Sequence, residues 1–185
     1  MSFLINPFTF AVAGGDFESI ATVTVGSGGA SSIEFTSIGT DWQHLQVRMV
    51  SRTARAGADD YLIMQLNSDT GSNYAYHVLI GDGSSASAAA GASQTSMFPG
   101  ATVGNTATAS VFGAAVVDIL DYDSTSKAKT IRSVGSVDRN GAGEVRLTSG
   151  LWTSTNAITS IKFTTFYGAN WAQHTTAALF GVKAP

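Results

Sequence analysis

The sequence predicts an all-β protein: a two-sheet antiparallel β-sandwich, jelly-roll-like, with an extended N-terminal arm. Three observations predict it. Short stretches alternate apolar and polar residues with the period of two that puts successive side chains on opposite faces of a strand. Turns built from Gly, Ser, Asn and Asp separate them at short intervals. No helix is read between them. The segment from Gly150 to Phe163 shows the pattern most compactly: Ile158, Ser160, Lys162 and Thr164 alternate with Thr159, Ile161 and Phe163. With the Ser154-Thr155-Asn156 turn before them, it reads as strand, tight polar turn, strand.

Composition bounds the remaining possibilities. A chain of 185 residues with 44% hydrophobic residues can bury one sizeable core. Charged residues make up only 12%, about half the usual share, so the expected surface is neutral and rich in hydroxyls. A net charge of -3 provides no electrostatic footprint for nucleic acid or an anionic membrane, and neither is expected as a partner. With no cysteine, disulfides and thiolate metal sites are excluded. The N-terminal stretch lacks a basic region and is interrupted by Asn6 and Pro7, unlike a signal peptide. The expectation is a soluble protein made in a cytoplasm.

Residues 1–15 form the expected arm and residues 16–185 the expected domain. Phe3, Leu4, Ile5, Pro7, Phe8 and Phe10 crowd the arm without strand or helix periodicity. It either packs as a first strand of its own domain or docks onto another subunit, as exposed apolar surface does. Strands then follow at Ser19–Val25, Ser32–Ser37 and Gln43–Ser51, where Leu45, Val47 and Met49 share one face. Tyr61–Leu66 is nearly all apolar, as a central strand covered on both faces would be, and Asn73–Ile80 is expected to return beside it as a hairpin. Gly81 to Ala92 reads as a low-complexity loop, continued without clear periodicity to Thr108. Val111–Asp121 is a core strand, Lys129–Val137 returns, and Asn140-Gly141 turns into Glu144–Trp152. Ile158–Phe166 and Thr175–Val182 complete the set.

Residues that could carry chemistry are sparse. His44, His77 and His174 fall in different segments, and no Gly-x-Ser-x-Gly elbow accompanies them. Asp118, Asp121 and Asp123 cluster in sequence, yet two acids facing each other across a cleft are needed for glycoside hydrolysis. Turn capping is the ordinary role of such aspartates. Asn67, Asp69, Gly71 and Asn73 faintly resemble a calcium loop but lack the distal glutamate, which favours an Asx turn. No metal site, cofactor or catalytic residue is therefore assigned. Tyr167, Trp171 and His174 form one loop cluster that could stack on a sugar ring. The plainer alternative is that Trp171 plugs the end of the sandwich.

Thr70–His77 followed by Gly81–Ser85, Ile119–Tyr122 with Lys129–Arg132, Ser149–Trp152 with Ile158–Ile161, and Ala178–Lys183 resemble a family of small tailed-bacteriophage virion structural proteins. The similarity runs from about residue 17 to residue 184 and rests on the order of the motifs. Proteins of this family are labelled structural, tail-fibre or head-decoration. The resemblance implies a non-enzymatic protein of the virion surface and supplies no catalytic residues. A fibre shaft needs heptads or a long repeat, and neither is present. The expectation is thus a head decoration or cement protein on the capsid, a homotrimer attached by its arm to the major capsid protein. The alternative is a tail-fibre or receptor-binding tip protein recognising host-surface carbohydrate.

Overall fold

The computed structural model describes residues 15–183. The expected attachment residues Phe3, Leu4, Ile5, Pro7, Phe8 and Phe10 lie outside them. Twelve strands follow one another: β1 (Phe17–Thr24), β2 (Ile33–Phe35), β3 (His44–Ser51), β4 (Asp59–Leu66), β5 (Tyr74–Gly81), β6 (Ala86–Gln94), β7 (Met97–Val103), β8 (Gly113–Leu120), β9 (Lys129–Asp138), β10 (Gly143–Trp152), β11 (Ile161–Thr165) and β12 (Thr176–Val182). No helix occurs among the described residues.

The strands form two antiparallel sheets. One has eight strands in the order β1-β12-β3-β8-β9-β10-β5-β6, the other four in the order β2-β11-β4-β7. Alternation decides which residues meet between them. Leu45, Val47 and Met49 of β3, Val117 and Ile119 of β8, and Leu179 of β12 join Leu62, Met64 and Leu66 of β4 and Ile161 and Phe163 of β11 in one buried cluster. Each such side chain contributes about 1.5–3 kcal/mol when taken out of water. The sheets approach closely where Gly100 of β7 faces Gly135 of β9. A Cβ on Gly135 would lie 3.0 Å from the Gly100 Cα.

Five sequence expectations change. Ala86–Gln94, expected as loop, is a strand, β6, and Met97–Val103, likewise expected without regular structure, is another, β7. The expected hairpin of Tyr61–Leu66 with Asn73–Ile80 does not form: β4 pairs with β11 and β7, whereas β5 pairs with β10 and β6. Tyr74 bridges the crossover instead, its hydroxyl accepting the Leu66 N–H at 2.9 Å and donating to the Asp69 carbonyl at 3.2 Å. Strand β4 alternates buried and half-buried residues, so only one of its faces is fully covered. The turn after Trp152 is also a crossover, since β10 and β11 lie in different sheets.

Candidate functional site

The described residues form only two sheets and no helix, so the outer face of the larger sheet has no covering layer among them. Register places Arg48, Val116, Val134, Leu147 and Leu79 side by side across β3, β8, β9, β10 and β5. Val134, Leu147 and Leu79 are 51%, 54% and 54% exposed, and Val145 and Leu151 of β10 extend the apolar band. Beside it runs a polar band: Asp118 accepts from Gln46 at 2.7 Å and from Arg132 at 3.0 Å. Arg48 lies over the rings of Phe17 and Phe180, 5.0 and 5.4 Å from their centroids. Contiguous apolar side chains at such exposure mark an association surface rather than the scattered surface leucines every protein carries.

The band ends at an open strand. β6 pairs only with β5, and its sequence Ala-Ser-Ala-Ala-Ala-Gly-Ala-Ser-Gln has no charge and no proline. Nearly all its side chains are exposed on both faces. Natural edge strands are commonly protected by Lys, Pro or bulged backbone. The single register shift with β5 falls at its C-terminal end, between Tyr74 and Tyr76 of the partner strand.

A second feature lies on the inner side of this overhang. β7 packs over β8, β9 and β10 and only lightly over β5, so the inner face of β5 and β6 opens as a cleft of about 340 Å³. Its walls are Tyr61, Tyr76, Phe98 and Phe166, with Val78, Ile80 and Ala89 behind them and Gln94 and Arg146 among them. The rings form a chain: Tyr76 to Phe98 is 5.3 Å between centroids, Phe98 to Phe166 5.7 Å, and Phe166 to Tyr167 4.9 Å edge to face. Arg146 stacks over Tyr61 at 4.6 Å while its Nε and Nη2 donate to Glu144 at 2.7 and 3.1 Å. Burial pushes the Tyr61 phenol above its ordinary range, so it stays neutral. Buried Asp60 fixes the loop beside the cleft, accepting the N–H groups of Tyr61 at 2.8 Å and Tyr167 at 3.3 Å. A wider depression of about 500 Å³ lies between the β5–β6 and β9–β10 turns. It is lined by glycines and by Asp82, Asp138 and Glu144, with no aromatic ring and no cation.

The predicted loop cluster separates. Tyr167 belongs to the aromatic chain, and the Arg55 guanidinium lies 3.4 Å from its centroid. Trp171 is fully buried, its backbone paired with Ala30 and its indole facing the Phe163 carbonyl at 3.4 Å. It has no face left for a ligand, and the plug is the role the structure gives it. His174 is exposed with φ of 72° and leads into β12, its N–H donating to Val25. Sequence reasoning missed Tyr61, Tyr76, Phe98 and Arg146, which join Phe166 only by crossovers between sheets. The one available signal was that Phe166 neighbours Tyr167.

The other candidates resolve into structural roles. His44 opens β3 opposite Val182, whereas His174 precedes the far end of the same pairing, and His77 stands four strands away on β5. Asp121 accepts from Lys127 at 2.6 Å and Gln43 at 2.9 Å, which lowers its pKa. Asp69 caps its own turn: it accepts the Gly71 N–H at 2.8 Å, the Asn73 amide at 2.9 Å and the Trp152 indole at 2.7 Å. Asn67 in turn accepts the Thr159 N–H at 2.8 Å. The bond from the Gly71 N–H to Asp69 is Asx-turn geometry, whereas Asn67 ties its loop to the segment before β11. Among the described residues no three His, Cys, Asp or Glu side chains are grouped to hold a metal ion.

Comparison with known proteins finds no matching family model, no matching characterised protein and no matching solved structure.

Proposed function

We propose that this chain is a non-enzymatic structural protein of the surface of a tailed-phage virion, a head decoration protein whose copies associate with one another and with the capsid. The motif order described above supplies the virion assignment. The observation that carries an associating role is the outer face of the eight-stranded sheet, where Val116, Val134, Leu147 and Leu79 form an apolar row running to the unprotected β6 edge. A decoration protein needs surface of this kind, because neighbouring copies bury it on assembly. On this reading the N-terminal arm attaches the protein to the shell and the copies form a trimer.

A tail-fibre or receptor-binding tip is the second reading, and the aromatic cleft favours it. Cryo-electron microscopy of purified particles separates the two. Many copies on the shell, lost when the chain is truncated to begin at Gly15, support decoration through the arm. A few copies at the tail, whatever the truncation does, select the tip reading and overturn the first.

A further inference from the structure

We infer that the cleft between β5, β6, β7 and the Phe166 loop is a binding site for a short neutral saccharide built of pyranose rings. The inference goes beyond a place on the particle and does not depend on one.

Pyranoses present an apolar C–H face and a rim of hydroxyls, and both find counterparts here. Phe98, Phe166 and Tyr76 supply aromatic surface for the face, and Phe166 is half exposed. For the rim there are groups without a protein partner among the described residues. Arg146 spends Nε and Nη2 on Glu144, leaving Nη1 to donate. Gln94 donates its amide N–H to Ala92, leaving Oε1 to accept. The hydroxyls of Tyr61 and Tyr76 are also unpaired, unlike those of Tyr74 and Tyr122, which bond to backbone carbonyls. A planar donor, a planar acceptor and two phenols around apolar rings match alternating hydroxyls better than they match an aliphatic ligand, which would leave them unpaired.

Charge selects the neutral class. Glu144 neutralises Arg146 at 2.7 Å, and no second cation lines the cleft. An acidic sugar would meet no free positive charge. The size, about 340 Å³, lies at the low end of ligand sites, which suits a short saccharide rather than a polymer. The site is also preformed, since Asp60 pins Tyr167 beside Phe166 and Arg146 is held over Tyr61. Preorganisation lowers the entropic cost of binding.

The test uses the purified full chain against an array of neutral and acidic oligosaccharides. Saturation-transfer NMR with methyl hexopyranosides at millimolar concentration accompanies it. Neutral saccharides should bind, with transfer to aromatic protons, and Phe166→Ala and Gln94→Ala should each weaken binding about tenfold. Both side chains lie at the surface side of the cleft, so unchanged melting temperatures confirm that the fold is intact. Leu147→Lys on the opposite face should leave binding unchanged. A blank array and no saturation transfer overturn the inference. So does binding confined to acidic sugars, binding indifferent to Phe166→Ala, or capture of proline-rich peptides in place of any sugar.

Discussion

The carboxylate of Asp60 accepts the backbone N–H of Tyr167 across 107 positions of sequence. That one oxygen also caps the N–H of Tyr61, and its partner oxygen accepts the Thr53 hydroxyl at 3.3 Å. Asp60 is fully buried, so Asp60→Ala leaves these donors without partners in a dry place. The expected loss is about 2–4 kcal/mol, read as a lower urea midpoint. Asp60→Asn keeps one acceptor and should lose less. Faster amide exchange at Tyr167 in Asp60→Ala should accompany the loss; unchanged exchange there would refute the anchoring role.

Most strands were legible because one face of each is buried, which imprints alternation on β3, β8, β9 and β12. Strand β6 was not. Both faces of Ala86–Gln94 are exposed, so nothing selects apolar residues at alternate positions and its Ala, Ser and Gly composition has weak β propensity. In β7 the pair Pro99-Gly100 hides the strand, and its close neighbour is Gly135 of β9, where a Cβ would come within 3.0 Å of the Gly100 Cα. Partner choice was hidden for another reason. Neighbourhood in sequence favours a hairpin for β4 and β5, whereas Tyr74 anchors a crossover. The aromatic cleft was illegible because it takes one residue or two from each of several strands.

Strand β6 passes close to Tyr76 only because residue 91 is glycine. A Cβ there would lie 2.6 Å from Tyr76 Cε1 and 3.2 Å from Gln94 Cδ. Gly91→Ala must push the ring off β6 and away from Phe98. The expected cost is about 1–3 kcal/mol, with displaced Tyr76 ring resonances by NMR. A variant with wild-type stability and unshifted resonances would show that the ring has room to spare.

Lys129 is fully buried, and its ammonium donates to the carbonyls of Ser124, Lys127 and Thr155 at 2.5, 2.9 and 3.1 Å. Burial lowers its pKa. Replacing buried charge by apolar bulk is often neutral or stabilising, but here three carbonyls would remain without their donor. We expect the second effect to win, so Lys129→Met should lose about 1–3 kcal/mol. A more stable Lys129→Met protein would reverse that ranking.

Asp69 contributes to the acid limb of stability. The Trp152 indole, then the Asn73 amide and the Gly71 N–H, hold its pKa below the ordinary value of 3.8. A carboxyl whose folded pKa is depressed contributes stability that is fully present above the unfolded value. That stability is lost as pH falls through the folded one. Acid titration should therefore show a loss beginning near pH 4 and continuing below it, with a change in Trp152 fluorescence. Asp69→Asn should be less stable at pH 7 and flatter across this window. An acid limb of unchanged slope in the variant would assign the loss to other carboxylates.

Leu79 and Leu147 face each other in register on the outer sheet, each more than half exposed. If this face is where copies meet, making it polar should abolish association while leaving the fold untouched. Leu79→Lys with Leu147→Glu tests this well, because opposite charges in directly opposed positions of an antiparallel pair attract one another. Exposed substitutions of this kind shift stability by about 0.5 kcal/mol at most. Sedimentation should show the wild-type chain as an oligomer and the double variant as a monomer, with equal melting temperatures. An oligomer that survives both charges would place the interface elsewhere, with the β6 edge next in line. There Ala88→Lys interrupts pairing with another strand, since a charge on an edge is what natural sheets use against it.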